Sequence, residues 1–200
     1  MRRVGLFGGT FDPPHLGHLA LAEWAREQLE LERVVFMPAG APPHKRGRDL
    51  SPVEARVAMT RLAVKGQPAF TVSTLETRRR GPSFTVDTLR ALKARHPRAK
   101  LYLVIGADSL DDFANWHAPR EILALATLAV ASRPGAGRIR RPAIGRRGAV
   151  VWLDNPGIAL SSSAIRARAA SGRSIRYLVP DAVDEYIRER GLYRSERGRP

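Results

Sequence analysis

The chain has no cysteine in 200 residues, which excludes disulfides, thiolate catalysis and thiolate metal sites. No stretch approaches the ~20 consecutive apolar residues of a membrane span. The opening Met1-Arg2-Arg3-Val4 lacks the apolar core of a secretion signal, so a cytoplasmic protein with no membrane partner is expected. Aromatic residues make up only 6%, too few for the interleaving of bases and aromatics that marks a nucleic-acid surface. Acidic residues are also scarce: 19 Asp and Glu face 34 Lys and Arg, for a formal charge of +15. Such a charge invites a polyanionic partner. The excess, however, concentrates at Arg138, Arg140, Arg141, Arg146 and Arg147, and again in the tail from Arg188 to Arg199, as solvated segments would. Nucleic acid is therefore not the expected partner, although a positive field suits the anionic substrates of a nucleotide enzyme.

The 44% of hydrophobic residues are enough for the core of one domain of ordinary size. Residues 1–193 are read as that domain and 194–200 as a basic tail. Apolar runs recur at 4–7, 34–37, 70–72, 101–105, 128–131 and 150–153, and amphipathic stretches separate the first four. Helices are expected over residues 16–29, from Ser51-Pro52-Val53-Glu54 onward (a serine cap, a proline at the first position and a glutamate at the third), over 85–95 ended by Pro97, and over 119–125. This βαβ order predicts an α/β fold: one doubly wound, mostly parallel Rossmann-like sheet with helices on both faces and a C-terminal helical segment. No internal repeat or low-complexity segment interrupts it. In such sheets ligands gather beyond the carboxyl ends of the strands.

The most telling stretch lies at the first of those ends. Gly8-Gly9-Thr10-Phe11-Asp12-Pro13-Pro14-His15-Leu16-Gly17-His18 follows an apolar run and precedes an amphipathic one, the order of a strand, a glycine turn and a helix start. Paired glycines admit a ligand close to the backbone, and a helix N-terminus offers N–H groups and a positive dipole end to an anion. Histidines three apart lie on one side of a helical turn. Their alternatives are incidental polar residues or a zinc site, the latter disfavoured by the absence of cysteine. Pro43-His44-Lys45 follows the second apolar run, and Gly106-Ala107-Asp108-Ser109 follows the fourth, where a carboxylate could meet ribose hydroxyls or cap a short helix. Trp116-His117 reads as an aromatic platform or an ordinary buried tryptophan. Gly81-Pro82-Ser83-Phe84-Thr85 opens a helix with Asp87 in its first turn, either as an anion site or as a serine-capped start. Leu160-Ser161-Ser162-Ser163-Ala164-Ile165-Arg166 offers hydroxyls and a guanidinium suited to polyphosphate, or a serine cap followed by a surface arginine.

Together with Ser132-Arg133-Pro134-Gly135 and the stretch from Tyr177-Leu178-Val179-Pro180 to Tyr193, these motifs resemble, in order and over nearly the whole chain, bacterial nicotinate mononucleotide adenylyltransferases of the HxGH nucleotidyltransferase superfamily. The resemblance implies transfer of the adenylyl group of ATP to nicotinate mononucleotide, giving deamido-NAD and pyrophosphate, with magnesium carried by ATP and no protein residue assigned to the metal. Carried over by motif, His18 and His15 are the catalytic candidates. Gly8, Gly9, Thr10, Phe11, His15, His18, Gly106, Asp108, Ser162, Ser163 and Arg166 would bind ATP. His44, Lys45, Ser83, Phe84, Thr85, Trp116 and Arg133 would bind the mononucleotide. Where the family often reads ISSTxIR this chain has LSSSAIR, which keeps the hydroxyl. The arginine-rich stretch 135–148 matches no motif of the family. A homo-oligomer is compatible with the sequence, and the preference between nicotinate and nicotinamide mononucleotides has no side-chain signature. The competing readings are phosphopantetheine adenylyltransferase, which shares a TFDPxxxGH box but lacks a GPSxTxDT segment, and a basic nucleic-acid-binding protein without enzymatic activity.

Overall fold

The computed structural model describes residues 2–42, 50–131 and 148–194. His44, Lys45 and Arg133 lie outside the described residues, as do 135–147 and 195–200. The elements run β1 (Arg3–Gly9), α1 (Leu16–Gln28), β2 (Arg33–Pro38), α2 (Val53–Val64), β3 (Phe70–Val72), α3 (Thr85–Arg95), β4 (Lys100–Gly106), α4 (Ala107–Asp111), a 3₁₀ turn at Phe113–Asn115, α5 (Pro119–Leu125), β5 (Ala126–Ala131), β6 (Val150–Leu153), α6 (Ser162–Ala170) and α7 (Asp181–Glu189). The strands form one sheet in the order β3-β2-β1-β4-β5-β6, every pair parallel. This is the doubly wound sheet expected. None of the described helices is long and apolar enough to cross a membrane.

The apolar runs are continuous because both faces of a parallel sheet are covered. Along β4, Leu101, Leu103 and Ile105 pack on one side with Val86, Leu89 and Leu92 of α3 and Ile122 of α5. Tyr102 and Val104 pack on the other side with Ala22 and Ala25 of α1. Strand β2 divides in the same way, Val35 and Met37 against Val34 and Phe36, as the two-residue period of a strand requires. A third cluster joins Met59 and Ala63 of α2 to Ile165 of α6 and to Val183 and Ile187 of α7. It fastens the carboxyl-terminal helices beside α1.

Two helix starts differ from expectation. Pro52, not Ser51, occupies the cap position of α2, and the Ser51 N–H donates to the Asp12 carboxylate at 3.1 Å. Phe84, not Ser83, precedes α3, with no side-chain cap. The Ser83 hydroxyl instead accepts the N–H groups of Gly40 and Ala41 at 3.1 and 3.2 Å. In both places a residue suited to local capping is used for a long-range bond.

Ile165 is 1% exposed and is the buried residue by which α6 holds to the third cluster. Ile165→Ala is expected to lower the unfolding free energy by about 2–4 kcal/mol, measured by urea denaturation. A loss below about 0.5 kcal/mol would show that α6 is not anchored there.

Candidate active site

Between β1 and β4 the winding of the sheet reverses, and the carboxyl ends of these two strands carry Gly8 and Gly106. Two clefts open there. The first, about 620 Å3, is lined by Gly8, His15, Gly17, His18, Gly106, Asp108, Trp116, Leu160, the serines 161–163 and Arg166. The second, about 710 Å3, is lined by Gly8, Gly9, Thr10, Ala39, Pro42, Glu76, Ser83, Phe84, Thr85, Trp116 and His117. Gly8, Val104, Ile105, Ser109 and Trp116 border both. Trp116 is partly buried against the core beside Phe113 and also lines both clefts, so core packing leaves part of the ring at the site. The three loops expected at this edge do meet, and they divide between two neighbouring cavities.

His15 caps α1 and is 6% exposed. Its ring lies against that of His18 with centroids 3.6 Å apart. Gly17 makes this stack possible, since a Cβ there would come within 3.1 Å of the His15 Nδ1. The His15 N–H donates to the His18 Nδ1 at 3.1 Å. A ring nitrogen that accepts a backbone N–H carries no proton, which places the proton of a neutral His18 ring on Nε2. The expected row of open N–H groups at α1 is reduced in the structure. The Leu16 N–H donates to the Leu178 carbonyl at 3.0 Å and that of His18 to the His15 carbonyl at 2.9 Å.

Phe11 enters neither cleft. It is 2% exposed, with φ of 51°, and its ring packs against Phe7, Phe36 and His18. It supports the turn from below. Asp12, 1% exposed, accepts the Tyr193 hydroxyl at 2.6 Å on one oxygen and the Ser51 N–H on the other. Arg166 donates to the Asp12 carbonyl at 2.8 Å, and the Ser162 hydroxyl to the Pro13 carbonyl at 2.8 Å. Ser161 caps α6 by accepting the Ala164 N–H. The late serine-arginine motif thus grips the first turn as well as lining the first cleft. Asp108 stands in the first turn of α4, with Gly106 in the cap position, so the expectation that its side chain caps the helix is not met.

Two buried polar residues, Arg56 and Glu76, were not singled out from the sequence, and the half-buried Tyr193 entered only as the end of a family motif. Arg56, 2% exposed, donates to the carbonyls of Thr10, Ala39 and Ser51 at 3.0, 2.7 and 3.1 Å. Burial draws its pKa down, opposed chiefly by the charge of Asp12. Glu76, 7% exposed, is pushed upward by burial against a hydrogen bond from Thr88. Tyr193 is held far above the usual phenol range by burial and by its bond to Asp12. Arg56 lies on an amphipathic helix, Glu76 in a polar turn and Tyr193 in a charged terminal stretch, so none of the three stands out before its partners are known.

A cytidylyltransferase-like family model matches residues 6–168. A probable nicotinate-nucleotide adenylyltransferase of Thermomicrobium roseum is 47% identical over 98% of this chain and 93% of its own length. One from Geobacillus thermodenitrificans is 44% identical over 96% and 87%. The chain belongs to the nicotinate-nucleotide adenylyltransferase family. The family is one of nucleotidyltransferases, so an enzyme is in hand and the reading as a non-enzymatic nucleic-acid-binding protein falls. Among solved structures, the nicotinic acid mononucleotide adenylyltransferase of Plasmodium falciparum complexed with NaAD aligns over 96% of this chain and 98% of its own, with a TM-score of 0.78 at 16% identity. A Vibrio parahaemolyticus structure titled as a nicotinate-nucleotide adenylyltransferase aligns over 98% and 97%, with a TM-score of 0.72 at 21% identity. At those identities they establish the family's fold for this chain and no more.

Burial holds the His15 imidazole at a pKa of about 4, below its ordinary 6.5. Between those values the unfolded chain binds a proton that the folded chain refuses. The contribution of His15 is therefore complete above pH 6.5 and is lost as the pH falls toward 4, by about 3 kcal/mol. In denaturant titrations from pH 7.5 to 4.5, the wild type should lose stability more steeply than His15→Asn by about 2–3 kcal/mol. Parallel pH dependences would contradict the buried neutral ring.

Proposed function

We propose that the first cleft takes ATP and the second nicotinate mononucleotide, and that the enzyme joins them into deamido-NAD with release of pyrophosphate. The single observation that carries this reading is the pair of clefts meeting at Gly8. An adenylyl transfer needs two nucleotides end to end, and their reacting phosphates would then lie over the end of β1. The close sequence relatives carry the name of this activity over nearly their full lengths. The Plasmodium falciparum neighbour was solved with NaAD, a dinucleotide whose two halves suit the two clefts.

The acceptor's phosphate has a second pKa near ~6, so it is mostly dianionic at neutral pH and needs no general base. One of its oxygens attacks the α-phosphorus of ATP, the bond from that phosphorus to the bridging β-oxygen breaks, and pyrophosphate leaves with the electron pair. The protein's work is alignment and charge stabilisation. His18 donates from Nε2 to the α-phosphate. His15 stays neutral beneath it and serves as a donor and packing surface rather than a cation. Ser162, Ser163 and the N–H groups opening α6 face the β- and γ-phosphates with Arg166. Gly106 and Asp108 face the adenosine. The pyridine ring lies by Trp116, with its carboxylate at the start of α3 near Phe84 and Thr85. His44, Lys45 and Arg133 remain assigned to the mononucleotide by motif.

Magnesium enters as the ATP complex. Among the described residues no group of three or more His, Asp or Glu could hold a metal, and Asp108 is the one carboxylate lining the first cleft. Phosphate oxygens and water would supply most ligands, and the ion would neutralise triphosphate charge.

His18→Ala should lower turnover about 10²-fold or more, by analogy with the removal of one oxyanion donor. Near-normal steady-state turnover would remove His18 from the reaction. Pyrophosphate release measured with ATP and, in turn, nicotinate mononucleotide, nicotinamide mononucleotide and phosphopantetheine should be fastest with the first. Faster release with phosphopantetheine would overturn the acceptor assignment.

A further inference from the structure

The second cleft is short of positive charge. Among the described residues that line it, His117 is the one side chain able to become a cation, and Glu76 is the one acid. Glu76 is engaged elsewhere, accepting the Thr88 hydroxyl at 2.7 Å. The His117 ring lies against that of Phe84, with centroids 4.4 Å apart and planes 30° from parallel, and Phe84 is the cap residue of α3. An imidazole therefore stands beside the first turn of that helix, where Thr85 also lines the cleft. Glu121, on the helix that follows His117, has both carboxylate oxygens bound by Arg90, at 2.6 and 2.5 Å.

The backbone holds His117 from both sides. Trp116 ends the 3₁₀ turn, its N–H donating to the Phe113 carbonyl at 3.1 Å. Ala118 opens α5, its carbonyl accepting the N–H groups of Glu121 and Ile122, both at 3.1 Å. Between these two fixed residues the imidazole has a defined place at the cleft.

The first N–H groups of α3 can only donate, and the helix end they form is positive. They serve one oxygen of a carboxylate or of a carboxamide alike. The two mononucleotides differ in the remaining atom, a second charged oxygen in nicotinate and an NH2 donor in nicotinamide. An imidazole N–H beside that atom binds the oxygen, and a protonated ring, which donates from both nitrogens, opposes the NH2.

We propose that the His117 side chain selects nicotinate over nicotinamide mononucleotide by donating to the ring carboxylate across from the start of α3. This rests on the reading that the second cleft takes the acceptor. The selectivity then has a side-chain origin, one that emerges only when the turn at 116–118 is seen against α3.

The test is initial-rate kinetics on the intact chain with ATP and, in turn, each of the two mononucleotides, for the wild type, His117→Phe and His117→Arg, with thermal unfolding of each. His117→Phe keeps an aromatic ring for the stack and removes the donor. It should lower kcat/KM for nicotinate mononucleotide about ten-fold and leave that for nicotinamide mononucleotide within about two-fold of wild type. His117→Arg, a planar cation that also stacks, should keep the nicotinate-to-nicotinamide ratio within about two-fold of wild type. An unchanged ratio in His117→Phe would overturn the proposal and leave the cleft assignment standing. Equal losses with both acceptors would also overturn it, making His117 a general support of the cleft. Loss of the ratio in His117→Arg as complete as in His117→Phe would show that the residue does not act as a donor to an anion. A rise in the KM for ATP in place of any change with the acceptors would overturn the assignment of the clefts itself. A wild type without preference for nicotinate would overturn the acceptor reading and the proposal together. If His117→Phe does not fold, His117→Gln, neutral and polar, takes its place with the same expected loss of the ratio.

Discussion

The turn between β1 and α1 is held from outside, and the two clefts depend on that. A segment with a left-handed φ at Phe11 and a carboxylate buried at Asp12 has little local reason to adopt its shape. Its polar groups are met by Ser51, Arg56, Ser162, Arg166 and Tyr193, and Leu178 takes the first amide of α1. Each is a long-range bond, and a buried polar group left unmet costs more than the same bond adds. The phosphate turn is therefore rigid only in the completed fold, which ties the shape of the site to the docking of the carboxyl-terminal helices on α2.

Electrostatics follows from the same packing. Arg56 brings a guanidinium under the turn and spends it on carbonyl oxygens rather than on a direct ion pair, so its charge remains partly available to the field above. His15 is kept neutral and presses on His18, whose Nδ1 accepts a backbone N–H. For a reaction between two phosphates this division is useful. In the proposed reading the positive groups attract both anions, and His18 offers a donor to the reacting centre.

Much of the fold was legible because its signals are local. The apolar runs of β1, β2 and β4 are continuous since helices cover both faces, and the glycines at 8 and 106 mark where those strands end. The histidine and serine motifs could be placed at the correct edge for the same reason. The Ser51 cap was misread, and of the two readings of Ser83 the capping one fails, because a polar group near a helix start is as well suited to a distant partner as to its own helix. Arg56, Glu76 and Tyr193 were illegible in function, since a single polar side chain in sequence does not announce a partner on another element of the fold. The separation into two clefts was likewise invisible, because it depends on where Trp116 and Gly8 stand relative to each other across β1 and β4.

The central claim is that one dinucleotide spans both clefts, its pyrophosphate bridge over Gly8. A crystal structure of the protein with deamido-NAD tests this most directly. The adenosine should lie between Asp108 and α6, with its phosphate at the His18 Nε2, and the pyridine ring should lie beyond Trp116 near Thr85. Both halves folded into one cleft, or a phosphate bridge remote from His18 and Gly8, would contradict the account.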